Sequence, residues 1–258
     1  GNLLLNDQEA YESAMSDPIA KKYVRNLFGA TELINGKDRW CLWLVNAPAS
    51  DMRKSDFLRS RVTACRKMRE NSPKSGDAYK NRDTPWLFRD NHQPSNAFLC
   101  IPAHFSARRE LMTVAWVNDG TIATNACFVT SDPDGLAFAV IESRMFMAWQ
   151  NLIGGRLKSD CRFSTTLVWN NLPLPQLDDE TRQRVIDAGK AVLEARGNHL
   201  AQSLADLYDP TFMPADLRKA HENLDKVVDA AFGAAKPCKS DDERLQILFD
   251  NYAKMIQA

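Results

Sequence analysis

Four charged side chains stand on alternate residues of the stretch GGRLKSDCRFS (154–164): Arg156, Lys158, Asp160 and Arg162. In an extended strand alternate residues share a face. Lys158, Asp160 and Arg162 are therefore expected side by side, about 6 to 7 Å apart, with Ser159, Cys161 and Phe163 packing inward. Such a row suits the edges of nucleic-acid bases. Lys and Arg donate to guanine O6 and N7 and Asp accepts from cytosine N4, so a Lys-x-Asp pair is matched to both halves of one G·C pair. The same spacing also suits a solvated Lys-Asp-Arg ion-pair ladder, which contributes little energy. Residue types alone leave the two readings open.

Charge elsewhere points in the same direction. The chain is neutral overall, with 33 Lys+Arg and 33 Asp+Glu in 258 residues. Residues 1–175 nevertheless carry a net +4 and residues 176–258 a net −4, and the surplus gathers between Arg53 and Arg89, where 11 basic residues face 4 acidic ones. Trp86 and Phe88 lie in the same segment. A basic cluster interleaved with aromatics in a neutral protein suggests a polyanion, and a solvated helix face is the plainer alternative.

Other chemistry is largely absent from the pattern. There is no G-x-x-x-x-G-K-[ST] or G-x-G-x-x-G, and Gly154-Gly155 does not substitute for either. His92, His104, His199 and His221 sit in unrelated settings, and His221-Glu222 lacks the second histidine of a zinc-binding HExxH, so His221 reads as structural. Six scattered cysteines without a CxxC pair read as free, mostly buried thiols, which fits a reducing, cytoplasmic setting. Asn170-Asn171-Leu172-Pro173 lacks the first proline and the aromatic of the Asn-Pro-Pro-aromatic motif that grips a flipped base in amino-methyltransferases. No apolar run approaches the roughly 20 residues of a membrane span. A chain opening on Gly1 instead of Met is expected to be a piece of something longer.

The elements that must position the charged row follow from periodicity and punctuation. Ile19–Phe28 and Phe57–Met68 read as helices, the second burying Leu58, Val62, Cys65 and Met68 while Arg59, Arg66 and Arg69 face away. Arg39–Val45, Phe98–Ile101, Leu111–Val117 and Ala126–Thr130 read as strands, and Leu136–Leu152 as one buried helix. After Pro173-Leu174-Pro175 the chain turns helical. Asp178–Arg196 closes on Gly197 as a C-cap, and a short segment runs through Leu200, Leu204 and Leu207. Pro214 opens a stripe of Leu217, Ala220, Leu224, Val227, Val228 and Ala231 ending at Gly233, and Ser240 with Glu243 forms a capping box before the last helix. The expected fold class is α+β, a mixed α/β domain over 1–175 followed by a small all-α bundle over 176–258.

Several ordered motifs together resemble one family. RWCLWL (39–44), R-V-x-x-C-R-x-x-R (61–69), MFMAW (145–149), GGRLKSDCRFS (154–164), N-N-x-P-x-P (170–175) and LADLYDPTFMPADLRKAH-x-x-LD (204–225) are similar to the C-terminal half of MmeI-like DNA methyltransferases, the single-chain type IIL/IIG restriction-modification enzymes of bacteria. The resemblance implies a target recognition domain followed by the family's C-terminal helical domain. It implies no catalytic residue or metal in this chain. The partners it implies are double-stranded DNA and the methyltransferase domain of the same parent chain. S-adenosylmethionine would belong to that domain, which precedes this region in the family. Lys158 and Asp160 are then implied to read one base pair, and Arg162 another with a companion near Ala126. Arg59, Arg61, Arg66, Arg69, Lys74 and Arg156 become candidates for phosphate contacts, which position a protein on DNA without carrying sequence information. Arg61 or Arg66 is the candidate for a loop-anchoring role instead. Cys161 stands where the family usually has an aromatic, and Trp169 where Tyr is common.

Overall fold

A computed structural model describes residues 2–91 and 93–257. Gly1 and His92, both singled out above, lie outside the described residues. The fold is α+β, as expected. By packing, the chain forms two compact units, Gly1–Phe28 with Lys37–Ser95 and Asp119–Asn125, and Gly29–Gly36 with Asn96–Asn118 and Ala126–Ala258.

In the first unit, Leu4–Leu5, Trp40–Leu42, Val24–Phe28 and Ile122–Ala123 form a four-stranded sheet in that order, its last pairing parallel. Ile19–Phe28 is thus not a helix. The Asp17 carboxylate accepts from the Ile19 and Ala20 amides at 2.8 and 2.9 Å and spends the helical tendency on one 3-10 turn, Ala20–Tyr23. Val24–Phe28 then pairs with Trp40–Leu42, because its backbone groups find partners there. The helix Asp56–Glu70 starts on Ser55, whose hydroxyl accepts from the Leu58 amide at 3.0 Å. Its buried stripe is Leu58, Val62, Cys65 and Arg69, whereas Met68 is 43% exposed. The stripe departs from the expected one at its end, where Arg69 turns inward in place of Met68 and sinks its guanidinium beneath the following loop.

The second unit is built on one continuous core that includes Leu99, Phe146, Phe163, Val192, Leu217 and Leu248. Leu136–Leu152 resolves into two helices, Leu136–Ile141 and Arg144–Ile153. The break lies at Glu142-Ser143. The Ser143 hydroxyl caps the second helix by accepting from Phe146 N at 3.3 Å, and Glu142 turns its carboxylate into the interior. There Arg196 donates to Glu142 at 2.6 Å and to the Val114 carbonyl at 2.8 Å, and Tyr208 bridges Glu142 and His221 at 3.1 and 2.7 Å. Burial drives the His221 imidazole down to about 3. It pushes the Glu142 carboxyl up, with Arg196 pulling it back. His221 is therefore a neutral, structural histidine, as its sequence setting suggested.

Around this network run Asp179–Gly197, Leu204–Leu207, Ala215–Ala231 and Asp241–Met255. Gly189 allows the first to press on Leu136–Ile141, since an added Cβ would lie 2.7 Å from that of Ala139. Gly197 is the last helical residue and not a left-handed cap, which it would have to be with positive φ. Gly233, at φ +105°, does end its helix that way. Ser240 accepts from Glu243 N, but the Glu243 carboxylate takes the Lys239 amide one residue early. Leu200, expected in the bundle, is 90% exposed.

Candidate nucleic-acid interface

The opening stretch is a hairpin and not a single strand. Gly155–Leu157 and Asp160–Arg162 pair antiparallel, and His104–Phe105 pairs with the second strand on its other edge. Lys158 and Ser159 form the two-residue turn between Leu157 and Asp160. Lys158 has φ +56°, and it is the only non-glycine with positive φ among the described residues. Two-residue hairpin turns need such a conformation because it matches the twist of the paired strands. The expected comb is therefore corrected. Lys158 stands at the tip and Ser159 is exposed there, while Asp160 and Arg162 share one exposed strand face and Cys161 and Phe163 are buried. A lone extended segment would have left the Gly155–Leu157 backbone unpaired, and folding back satisfies it.

Lys158, Asp160 and Arg162 form no side-chain hydrogen bond or ion pair with one another or with any other described residue. The ladder reading, which sequence left open, has no bonds to support it. Three exposed charges without partners on a rigid mount remain available to a ligand.

The mount is built from both sides. Gln150, from the helix Arg144–Ile153, donates to the Arg162 carbonyl at 3.0 Å. Its approach requires Gly154, where a Cβ would fall 1.9 Å from Gln150 Nε2 and 2.4 Å from the Gln150 carbonyl oxygen. Phe163 N donates to the Ala103 carbonyl at 3.0 Å, and its ring meets Phe128 edge-on with centroids 5.2 Å apart. The small Cys161, where an aromatic would be usual in the family it resembles, fills its place with a thiol donating to Asn151 Oδ1 at 3.6 Å. Arg156 points to the opposite face, donating to the Ser159 carbonyl at 3.3 Å and lying 3.5 Å from Cys161 Sγ. It clamps the turn.

Ala126 and Arg162, thirty-six positions apart as candidates for one base pair, are joined through Ala103. The Ala126 carbonyl accepts from Ala103 N at 2.9 Å, and Ala103 accepts in turn from Phe163. Two strand spacings, roughly 10 Å, therefore separate the backbone at 126 from that at 162–163. Sequence reasoning missed His104 and Leu157. His104 is the register partner of Arg162 and Leu157 that of Asp160, so both share the exposed face. Only strand pairing reveals them, since neither residue belongs to a periodic or charged pattern.

The basic candidates divide by what holds them. Arg69 donates to the carbonyls of Asn81, Thr84 and Leu87 at 2.7, 2.9 and 2.6 Å and is 8% exposed. It is an anchor of the 81–87 loop, not a phosphate ligand. Arg61 donates to the carbonyl of Leu4, in the strand Leu4–Leu5, and stacks over Phe57, so it is structural, although it anchors a strand and not a loop. Arg59 is paired with Asp56 and bonded to the Arg53 carbonyl at 2.8 Å. Arg66 and Lys74 are exposed and have no partner among the described residues. No group of three His, Cys, Asp or Glu placed to hold a metal ion is found among the described residues.

Comparison with known proteins matches this architecture. The family described as "MmeI, target recognition domain" matches residues 1–176, and "MmeI, C-terminal domain" matches residues 177–258. A solved structure of the type IIL restriction-modification enzyme MmeI in complex with DNA is similar over 100% of this chain, at a TM-score of 0.93 and 34% identity. DNA methyltransferase A of Bacillus subtilis (strain 168) is 32% identical over 257 residues. The chain covers 34% of the first relative and 29% of the second, about a third of their length. The chain belongs to the MmeI family, as its target recognition domain followed by its C-terminal domain.

Proposed function

We propose that this chain is the double-stranded DNA-reading module of a site-specific, adenine-N6 DNA methyltransferase of a restriction-modification system. The observation that carries the reading is the hairpin: three exposed charges, unpaired among the described residues, on a mount secured by Gln150, Gly154 and Phe163. Lys158 donates to guanine and Asp160 accepts from cytosine of one G·C pair, each contact contributing about 1 to 3 kcal/mol of discrimination. Arg162 reads a second pair, with the Ala126 position facing the same pair. Arg66 and Lys74 hold phosphates, with Arg59 joining them by exchanging Asp56 for the backbone; Arg61 and Arg69 drop out of the set and Arg156 serves the turn. Adenine flipping, methyl transfer and S-adenosylmethionine belong to the methyltransferase domain of the parent chain. That activity is intracellular, in the bacterial cytoplasm; no described helix is long and apolar enough to cross a membrane.

The test is selection from a randomised duplex library at two salt concentrations. The wild type should enrich a motif containing a G·C pair, and Lys158→Ala should stop selecting it. Lys158→Glu with Asp160→Arg should change the preferred base at that one position, and unchanged preference would sink the assignment. A second reading, a module that docks on other protein without reading bases, draws on a groove of about 320 Å³ lined by Trp149, Ile153, Leu167, Asn171, Phe249 and Tyr252. Leu167 and Phe249 are half exposed there. Specific DNA binding separates the two.

A further inference from the structure

We propose that Leu157 is an apolar reader on the same hairpin. It packs on the C5 edge of the pyrimidine whose N4 amine Asp160 accepts from, and it makes binding responsive to a methyl group at that carbon. The inference rests on the role given to Asp160 above.

Leu157 is 57% exposed and lies directly opposite Asp160 in the hairpin register. Paired residues of an antiparallel ladder project to the same face, with Cβ atoms about 4.5 to 5.5 Å apart. The other residues of that face are Gly155, Arg162 and His104, so Leu157 has no apolar neighbour across the ladder. The core that secures Cys161 and Phe163 does not include it. A scattered exposed leucine is ordinary. This one is held beside a carboxylate acceptor, one residue from a strained turn, where the whole face is otherwise polar or without a side chain.

The chemistry of the major groove matches that juxtaposition. On cytosine the C5 carbon adjoins the carbon bearing the N4 amine, and the pyrimidine C5 position is where thymine carries its methyl, the one apolar feature of that groove edge. A carboxylate on N4 brings the neighbouring leucine over C5. A hydrogen there offers it little surface, and a methyl group offers a contact that excludes water.

The test begins with the cytosine that Asp160→Ala stops selecting from the duplex library. Duplexes carrying cytosine or 5-methylcytosine at that position are titrated against the full 258-residue chain and against Leu157→Ala by fluorescence anisotropy. Methylation should tighten wild-type binding about threefold to fourfold, the effect of burying one methyl group. The variant should bind both duplexes equally while still preferring cytosine to other bases, and its melting temperature should match the wild type. The proposal is overturned if methylation leaves the wild type unchanged or weakens it, or if Leu157→Ala keeps the full methyl effect. If Asp160→Ala alters no base preference, the DNA-reading assignment itself fails and this inference falls with it.

Discussion

Replacing Lys158 by glycine should make the chain more stable and worse at its proposed task. Lys158 occupies the left-handed region at φ +56°, where a side chain costs about 1 to 2 kcal/mol because Cβ crowds the following carbonyl. Glycine removes that cost but adds about 0.5 to 1 kcal/mol of chain entropy to the unfolded state. The side chain makes no bond to any other described residue, so no such bond is lost with it. The net gain is therefore about 0.5 to 1 kcal/mol. At about 2 to 4 °C per kcal/mol for a chain of this size, the melting temperature should rise by roughly 1 to 4 °C. Over the same substitution, discrimination at the G·C pair should fall by about 1 to 3 kcal/mol, roughly 5- to 150-fold. Thermal unfolding followed by circular dichroism and competition binding against a duplex with that pair replaced give the two readouts. Lys158→Ala should lose discrimination equally but leave the melting temperature unchanged, as the strain stays. A lower melting temperature for Lys158→Gly, or discrimination retained in both variants, would refute the view that strain is kept at this turn for the sake of the lysine.

Four further outcomes follow from the mount, the core and the basic helix. Gly154→Ala places a Cβ 1.9 Å from the Gln150 amide and 2.4 Å from its carbonyl, so it should destabilise by about 1 to 3 kcal/mol through forced repacking, measured by urea unfolding, and raise hydrogen exchange in the hairpin. Burial lowers the His221 pKa to about 3 from about 6.5 in the unfolded chain. Its contribution is thus fully present above pH 6.5 and is lost as pH falls toward 3, by about 1.4 kcal/mol per unit. The stability difference between wild type and His221→Gln should shrink by about 1 kcal/mol between pH 6.5 and 5.5, since the unfolded imidazole is already half protonated at pH 6.5; a constant difference would show that the imidazole is not held neutral by burial. Arg69→Ala leaves three carbonyls without their donor and should cost about 2 to 4 kcal/mol. Arg66→Ala should leave stability unchanged yet lower the salt slope of DNA binding by about one unit, and the opposite pattern would reverse their roles.

What sequence determined and what tertiary structure decided divide along a physical line. Local signals were legible: Ser240 caps the helix expected to follow it, Gly233 ends one, and alternation at Asp160, Cys161 and Arg162 places charges outward and the thiol inward. These depend on hydrogen bonds and periodicities that span a few residues. Family motifs spread along the chain carried membership, and with it the hairpin as the place to look. Where partners lie far apart in sequence, local reading failed. Val24–Phe28 is a strand because Trp40–Leu42 pairs with it, and Leu136–Leu152 breaks because Glu142 is claimed by Arg196, more than fifty residues on. Arg69 is indistinguishable from any other basic residue without the loop 81–87 that closes over it, and strand register alone places His104 and Leu157 on the exposed hairpin face. Residue types and spacing can state which charges exist. Which of them are consumed by the fold, and which are left exposed for a ligand, depends on backbone groups brought near by tertiary packing.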